Sequence, residues 1–209
     1  MRLVLPFILL ALAGCKVREQ PPIVDRYADL FDRTSIGPDY NQTGSGYRIV
    51  DGALNAKGGH NRPLWLAKKL PAGDLQIDFD AWSASPDGDL KVEVFGDGRS
   101  YDADGNRYLA TSYVLVFGAW KNSRSIITRL DEHGKDQVTR SAPRVEPGRR
   151  YHWRIVRRGR VLEWYLDDLT VPFLRYDDPA PLAGVGHEYF GFGNWETDTY
   201  FDNLVIKRL

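Results

Sequence analysis

Cysteine is almost absent from this 209-residue chain: Cys15 is the only one, so no intrachain disulfide staples the fold. Surplus charge is missing as well, with 28 basic side chains against 28 acidic ones. That balance argues against a dedicated nucleic-acid surface, which needs a basic excess. No apolar run approaches the ~20 residues that a membrane-spanning helix requires. No long segment keeps a 3.6-residue period, and no repeat or low-complexity tract breaks the chain. Nucleotide, thiol and zinc motifs are lacking too. What is present, from Tyr27 onward, is a series of short apolar runs punctuated by Gly, Asp, Asn and Pro, the pattern of an all-β fold.

The N-terminus is of a different kind. Arg2 precedes eleven mostly apolar residues, Leu3 to Ala13, the charge order and length of a secretory signal. The run ends in Leu12-Ala13-Gly14-Cys15, which resembles the lipobox of bacterial lipoproteins. The resemblance implies a signal peptide over 1–14, cleavage before Cys15 and acylation of its thiol, with palmitate among the acyl groups. Each acyl CH₂ buried in a bilayer contributes about 0.8 kcal/mol, so several chains hold a protein at a membrane. The expected location is the cell envelope, outside the cytoplasm; Lys16 rather than Asp after the cysteine points to the outer membrane in a Gram-negative cell. Cleavage leaves 195 residues with a net charge of −1. Residues 15–25, with Pro21-Pro22, read as a short stiff tether, and 26–209 as one domain.

Alternation places the strands. Leu75, Ile77, Phe79 and Ala81 alternate with Gln76, Asp78, Asp80 and Trp82, and Leu90, Val92 and Val94 with Asp89, Lys91 and Glu93. Ser112–Trp120 is apolar on both sides, as a central strand is, and Ser125–Asp131 follows it across Asn122-Ser123. Tyr189–Trp195 and Tyr200–Lys207 are expected to pair as the closing strands. A hairpin over 150–167 turning at Arg158-Gly159 sets Arg154 opposite Glu163, Arg150 opposite Asp167 and His152 opposite Tyr165, with Trp153 opposite Trp164, Ile155 opposite Leu162 and Tyr151 opposite Leu166 on the other face. Cross-strand pairs of this kind contribute roughly 0.2–1 kcal/mol each. Many strands with one apolar side predict two antiparallel sheets packed face to face as a jelly-roll sandwich, with a closed barrel as the alternative.

Four motifs carry a family resemblance: Trp164-Tyr165-Leu166-Asp167; Tyr176-Asp177-Asp178-Pro179 with Pro181-Leu182; Gly191-Phe192-Gly193-Asn194-Trp195; and Phe201-Asp202-Asn203-Leu204-Val205-Ile206. Together they resemble the end of a concanavalin A-like (laminin G-like) jelly roll. They are similar to such domains in bacterial lipoproteins, including uncharacterised relatives of the 3-keto-disaccharide hydrolase family, as are Val116-Phe117-Gly118-Ala119-Trp120 and Asp131-Glu132-His133-Gly134. The resemblance covers about residues 27–209. It implies carbohydrate, bound or cleaved on the concave sheet.

A sugar site pairs a flat aromatic ring with planar polar groups, because sugars present apolar C–H faces edged by hydroxyls. Trp82, Trp120 and Trp195 sit on faces that alternation does not assign to the core. Asn122, Arg129, Asp131, Glu132, His133, His187, Glu188 and Asn194 lie near them in sequence. The expected ligand-binding set is Trp120, Asn122, Arg129, Asn194 and Trp195. Glycoside cleavage needs two carboxylates, one with a raised pKa. No E-x-D-x-x-E run is present; Asp78 and Asp80 share a strand face, and the fold could bring Glu93 near Asp131, though nothing in the spacing requires it. Proton transfer by histidine singles out His133 and His187, beside acids, over His60 and His152. For an enzyme, the catalytic set is therefore Glu93, Asp131, Glu132, His133 and His187.

Two further features are read as structural. Asp102-Ala103-Asp104-Gly105-Asn106 opens like an EF-hand loop and then fails, with Arg107 where glycine is required and Tyr113 where the bidentate glutamate belongs. No metal ligand set or cofactor is expected, with a structural calcium left open. Residues 140–160 hold eight arginines against Glu146 alone; the hairpin register neutralises them. The sequence thus predicts a monomeric, lipid-anchored protein whose partners are carbohydrate and a bilayer, not nucleic acid. Its ligand would lie in an aromatic groove on one sheet. A glycoside hydrolase or polysaccharide lyase acting in that groove, and an envelope protein binding another protein, are the alternatives.

Overall fold

The computed structural model describes residues 19–101 and 108–209; Cys15, the signal segment and the 102–106 segment lie outside them. The chain runs through β1 (Arg26–Asp29), β2 (Tyr40–Gln42), β3 (Tyr47–Val50), β4 (Ala53–Lys57), β5 (Leu64–Leu66), β6 (Leu75–Ser83) and β7 (Leu90–Gly96). It continues with β8 (Leu109–Gly118), a single helical turn α1 (Ala119–Asn122), β9 (Arg124–Asp131) and β10 (Gln137–Arg140). The last strands are β11 (Tyr151–Arg158), β12 (Val161–Leu166), β13 (Leu174–Asp177), β14 (Tyr189–Gly193) and β15 (Asp198–Arg208). One sheet has eight strands, β13-β12-β11-β6-β15-β4-β3 with β1 on β15; the other has seven, β10-β9-β8-β7-β14-β5-β2. The pairings are antiparallel. This is the jelly-roll sandwich of concanavalin A-like domains.

Period-two alternation builds the interior. β6 gives Leu75, Ile77, Phe79 and Ala81 to the core, β7 gives Leu90, Val92 and Val94, and β14 gives Phe190 and Phe192. Phe79 meets Phe190 and Phe192 across the sheets at 6.1 Å, and Phe117 meets Trp153 at 6.4 Å. Trp153 stacks on Trp164 with ring centroids 4.2 Å apart. Each buried aromatic of this kind contributes roughly 1.5–3 kcal/mol by burial, and well-oriented ring pairs add about 0.5–1.5.

The structure corrects three sequence expectations. In the β11–β12 hairpin the two-residue turn is Gly159-Arg160, so Arg154 lies opposite Tyr165 and Trp153 opposite Leu166. Gly159 takes a φ of 54° at the first turn position, where glycine carries no steric cost. The register is displaced by two residues, which preserves the faces but changes the partners. Arg154 donates to Asp78 of β6 at 2.6 Å, Arg150 to Asp202 of β15 at 3.1 Å, and Asp167 takes Arg149 at 3.0 Å. The basic stretch is neutralised only in part, at Arg149, Arg150, Arg154 and Arg160, and chiefly by neighbouring strands rather than by its own hairpin. Finally, β14 and β15 do not pair with each other: β14 joins β7 and β5, while β15 joins β6 and β4 in the opposite sheet.

Candidate functional site

β7 is a central strand, and its alternation sends Lys91 and Glu93 to the outer face of the seven-stranded sheet. Water does not reach them: Lys91 is 1% exposed and Glu93 0%. The 131–136 turn folds back over this face, pinned where Thr128 Oγ1 donates to the Asp131 carbonyl at 2.7 Å. The 58–62 loop covers it from the other side. Lys91 Nζ joins the two loops, donating to Glu132 Oε2 at 2.9 Å and to Asn61 Oδ1 at 2.8 Å. A second apolar cluster of Tyr108, Ala110, Val114, Val116, Ala119 and Ile126 seals the same face. Trp65 is fully buried and lies against bare glycine: a Cβ on Gly96 would come within 2.3 Å of its ring, and one on Gly191 within 2.8 Å.

The electrostatics follow from this enclosure. Burial alone would lower the Lys91 ammonium, but Glu132 and Asp89 beside it hold it above its ordinary range. Burial pushes the Glu93 carboxyl up to about 7, against the hydroxyls of Ser112 at 2.6 Å and Tyr108 at 2.7 Å that donate to it. Burial likewise raises Asp89 to about 6, against the pull of Lys91.

Asp89 also fixes the rim. Its Oδ2 accepts the Trp195 backbone N–H at 2.9 Å, and its own N–H donates to the Gly118 carbonyl at 3.0 Å. Gly118 is where β8 ends and a left-handed turn begins, with φ of 78° at Gly118, 48° at Trp120, 55° at Lys121 and 59° at Asn122. The turn leaves Trp120 38% exposed, and Trp195 is half-buried. Each tryptophan is met edge-on by a histidine: Trp120 by His133 at 5.8 Å, Trp195 by His60 at 4.9 Å. The residues beside those histidines, Glu132 and Asn61, are the two that Lys91 joins. The result is an arch with a tryptophan at each foot and a buried ammonium at its centre.

The other predicted residues are placed as follows. Asn122 is buried, donating to the Pro86 and Val145 carbonyls and accepting from Val145 N–H. Asn194 is buried too, accepting from Gly59 N–H and donating to Thr197 and Thr199. Both amides are taken up in holding the rim loops. Arg129 opposes Tyr113 on the core-facing side of β9 and binds Asp178 at 3.0 Å, so it does not join the outer-face residues. Asp131 closes its own turn, accepting His133 N–H at 2.9 Å; the acid brought to Glu93 and Lys91 is Glu132. His187 and Glu188 lie at the opposite end of β7, lining a separate cleft. His152 sits on the eight-stranded sheet with Nδ1 2.8 Å from Asp80. Trp82 is on that sheet as well, stacked on Tyr200 at 5.2 Å on one face and covered by Arg150 at 4.1 Å.

Sequence reasoning missed Lys91, Asn61, His60, Trp65 and Tyr108. The Asp89, Lys91, Glu93 alternation is visible, but it reads as a solvated side; nothing local announces the loops that cover it. Among the described residues, no group of three or more side chains converges as a metal site.

No family model matches the chain, and no curated protein matches it in sequence. Solved structures match its fold. A carbohydrate-binding module from Bacillus subtilis superposes with a TM-score of 0.61 at 13% identity, covering 83% of this chain and 98% of that one. A protein of unknown function with a galectin-like fold, also from Bacillus subtilis, gives 0.64 at 12% identity, covering 89% and 96%. A putative glycosyl hydrolase from Parabacteroides distasonis gives 0.57 at 14% identity, covering 87% and 94%. At these identities what is shared is the concanavalin A-like, galectin-like sandwich.

Proposed function

We propose that this protein is an envelope lipoprotein that binds carbohydrate across Trp120 and Trp195, over the arch centred on Lys91. The observation that carries the reading is the double link of Asp89 to Trp195 and Gly118, which sets two accessible tryptophans beside one polar centre on the outer face of the sheet. Rings of this kind offer apolar platforms with hydrogen-bonding neighbours. The structural neighbours include a carbohydrate-binding module and a protein described as a glycosyl hydrolase, which supports the same class of ligand. Titration against a panel of bacterial and plant polysaccharides is the test; saturable binding to one glycan class is expected, and no binding to any defeats the reading. For the anchor, labelled palmitate is expected to enter the wild-type chain and not Cys15→Ser; equal labelling of both would remove it.

A further inference from the structure

At the other end of β7, beyond Phe95, a cleft of about 390 Å³ opens between the 70–74 segment, the Gly159 turn and the 183–188 segment. That size falls within the range of small-molecule sites. Two basic side chains line it. Arg157 is 9% exposed; its Nε donates to the Gly159 carbonyl at 3.0 Å and its Nη1 to the Leu182 carbonyl at 2.7 Å. The guanidinium lies over the Phe95 ring at 4.3 Å. Among the described residues no carboxylate makes a contact ion pair with it and no acceptor meets Nη2; burial works against its charge, and the nearby acids Asp178 and Asp74 offset that only in part. His187 places Nδ1 2.7 Å from the Thr111 carbonyl and 3.3 Å from that of Phe95. Carbonyls only accept, so Nδ1 carries the proton and Nε2 has no protein partner among the described residues.

The acids of the cleft are already engaged. Asp74 Oδ1 accepts the Gly159 N–H at 2.7 Å, and Glu188 Oε1 takes Lys69 Nζ at 3.2 Å. The cleft therefore has acids already hydrogen-bonded and one buried cation with no carboxylate in contact with it. We infer that it binds a small organic carboxylate of about monosaccharide size. Its oxygens meet the open Nη edge of Arg157, a planar fork suited to carboxylate, and its body rests on Phe95 and Leu70. A single negative charge matches the one guanidinium that no carboxylate touches; a dianion would meet stronger repulsion from Asp74 and Glu188. The inference stands apart from the glycan reading, since neither tryptophan of the arch takes part.

The test is an amide NMR titration of the purified protein with glucuronate, with glucose as the neutral control and inorganic phosphate as the competing anion. Glucuronate is expected to shift the Gly159, Leu182 and His187 signals to saturation while glucose leaves them in place. Arg157→Gln and Ala183→Trp, the latter at an exposed position on the mouth, are each expected to weaken binding at least tenfold. If Arg157→Gln fails to fold, as its thermal melt would reveal, Ala183→Trp decides. The inference is overturned by any of four results: no shift with glucuronate, equal shifts with glucose, binding of phosphate alone, or wild-type affinity in folded variants.

Discussion

Lys91 and Glu132 form an ion pair of 2.9 Å with both side chains almost wholly buried, and through Asn61 the same ammonium reaches the opposite loop. Removing one partner of such a pair leaves an uncompensated charge indoors, at a cost of about 3–5 kcal/mol. Lys91→Met keeps the apolar stem and discards the charge, so it isolates that cost. Urea denaturation is expected to show a loss of this size. Lys91→Met/Glu132→Leu should regain most of it, because an apolar pair needs no counter-charge. A single variant within 1 kcal/mol of wild type on that comparison, by the scale of exposed pairs, would mean the arch is not held by its charge.

The neighbouring carboxyl makes stability depend on pH. Glu93 titrates near 7 in the folded protein, above its ordinary 4.5. A carboxyl raised by folding favours the folded state while protonated. Its contribution is complete below about 4.5 and is lost as pH rises through about 7. Over that window wild type should lose roughly 3 kcal/mol relative to Glu93→Gln, which keeps an acceptor for Tyr108 and Ser112 without ionising. Asp89, at about 6, acts in the same direction and persists in the variant, so the difference between the two proteins is the quantity to read. Parallel midpoints for both proteins at pH 5, 6, 7 and 8 would remove Glu93 as the source.

How far the sequence reaches depends on whether one strand's own residues decide the outcome. β6 does: Leu75, Ile77, Phe79 and Ala81 alternate over nine residues, and the strand lies as expected. β2 and β5 have three residues each, too few for a period to register. Charge complementarity within 150–167 suggested a register that the real turn at Gly159-Arg160 displaces by two. Both registers put Trp153 and Trp164 on the core side, so patterning could not separate them, and Asp78 of β6 was the unforeseen partner of Arg154. The site was legible in its tryptophans but not in its centre. Lys91 alternates like a solvated residue, and only loops distant in sequence, at Asn61 and Glu132, make it buried.

Trp65 shows how tightly the outer face is filled. Its ring occupies the space that side chains on Gly96 and Gly191 would need, and its Nε1 donates to the Ser100 carbonyl at 3.0 Å. Overfilling a packed site costs typically about 1–3 kcal/mol. Gly96→Ala is therefore expected to lower stability by that amount. Coupling it with Trp65→Leu should restore part of the loss, giving a non-additive double-mutant cycle. Additive effects would mean that the glycine and the ring do not share this space.

The three tryptophans singled out in the sequence now separate by the faces they offer. Trp120 has Arg124 over its ring at 4.9 Å and His133 at its edge, and Trp195 has His60 at its edge, so each keeps ring surface for a ligand. Trp82 has Tyr200 stacked on it and Arg150 over it. For a polysaccharide that binds at the arch, Trp120→Ala and Trp195→Ala are each expected to weaken affinity about tenfold or more, some 1.4 kcal/mol, with melting temperatures near wild type. Trp82→Ala should bind as wild type does. The measurement is calorimetric titration of the four proteins against one ligand. Loss of binding in Trp82→Ala with retention in Trp120→Ala would move the site to the eight-stranded sheet, where Asp78, Asp80 and His152 would become the polar partners to examine next.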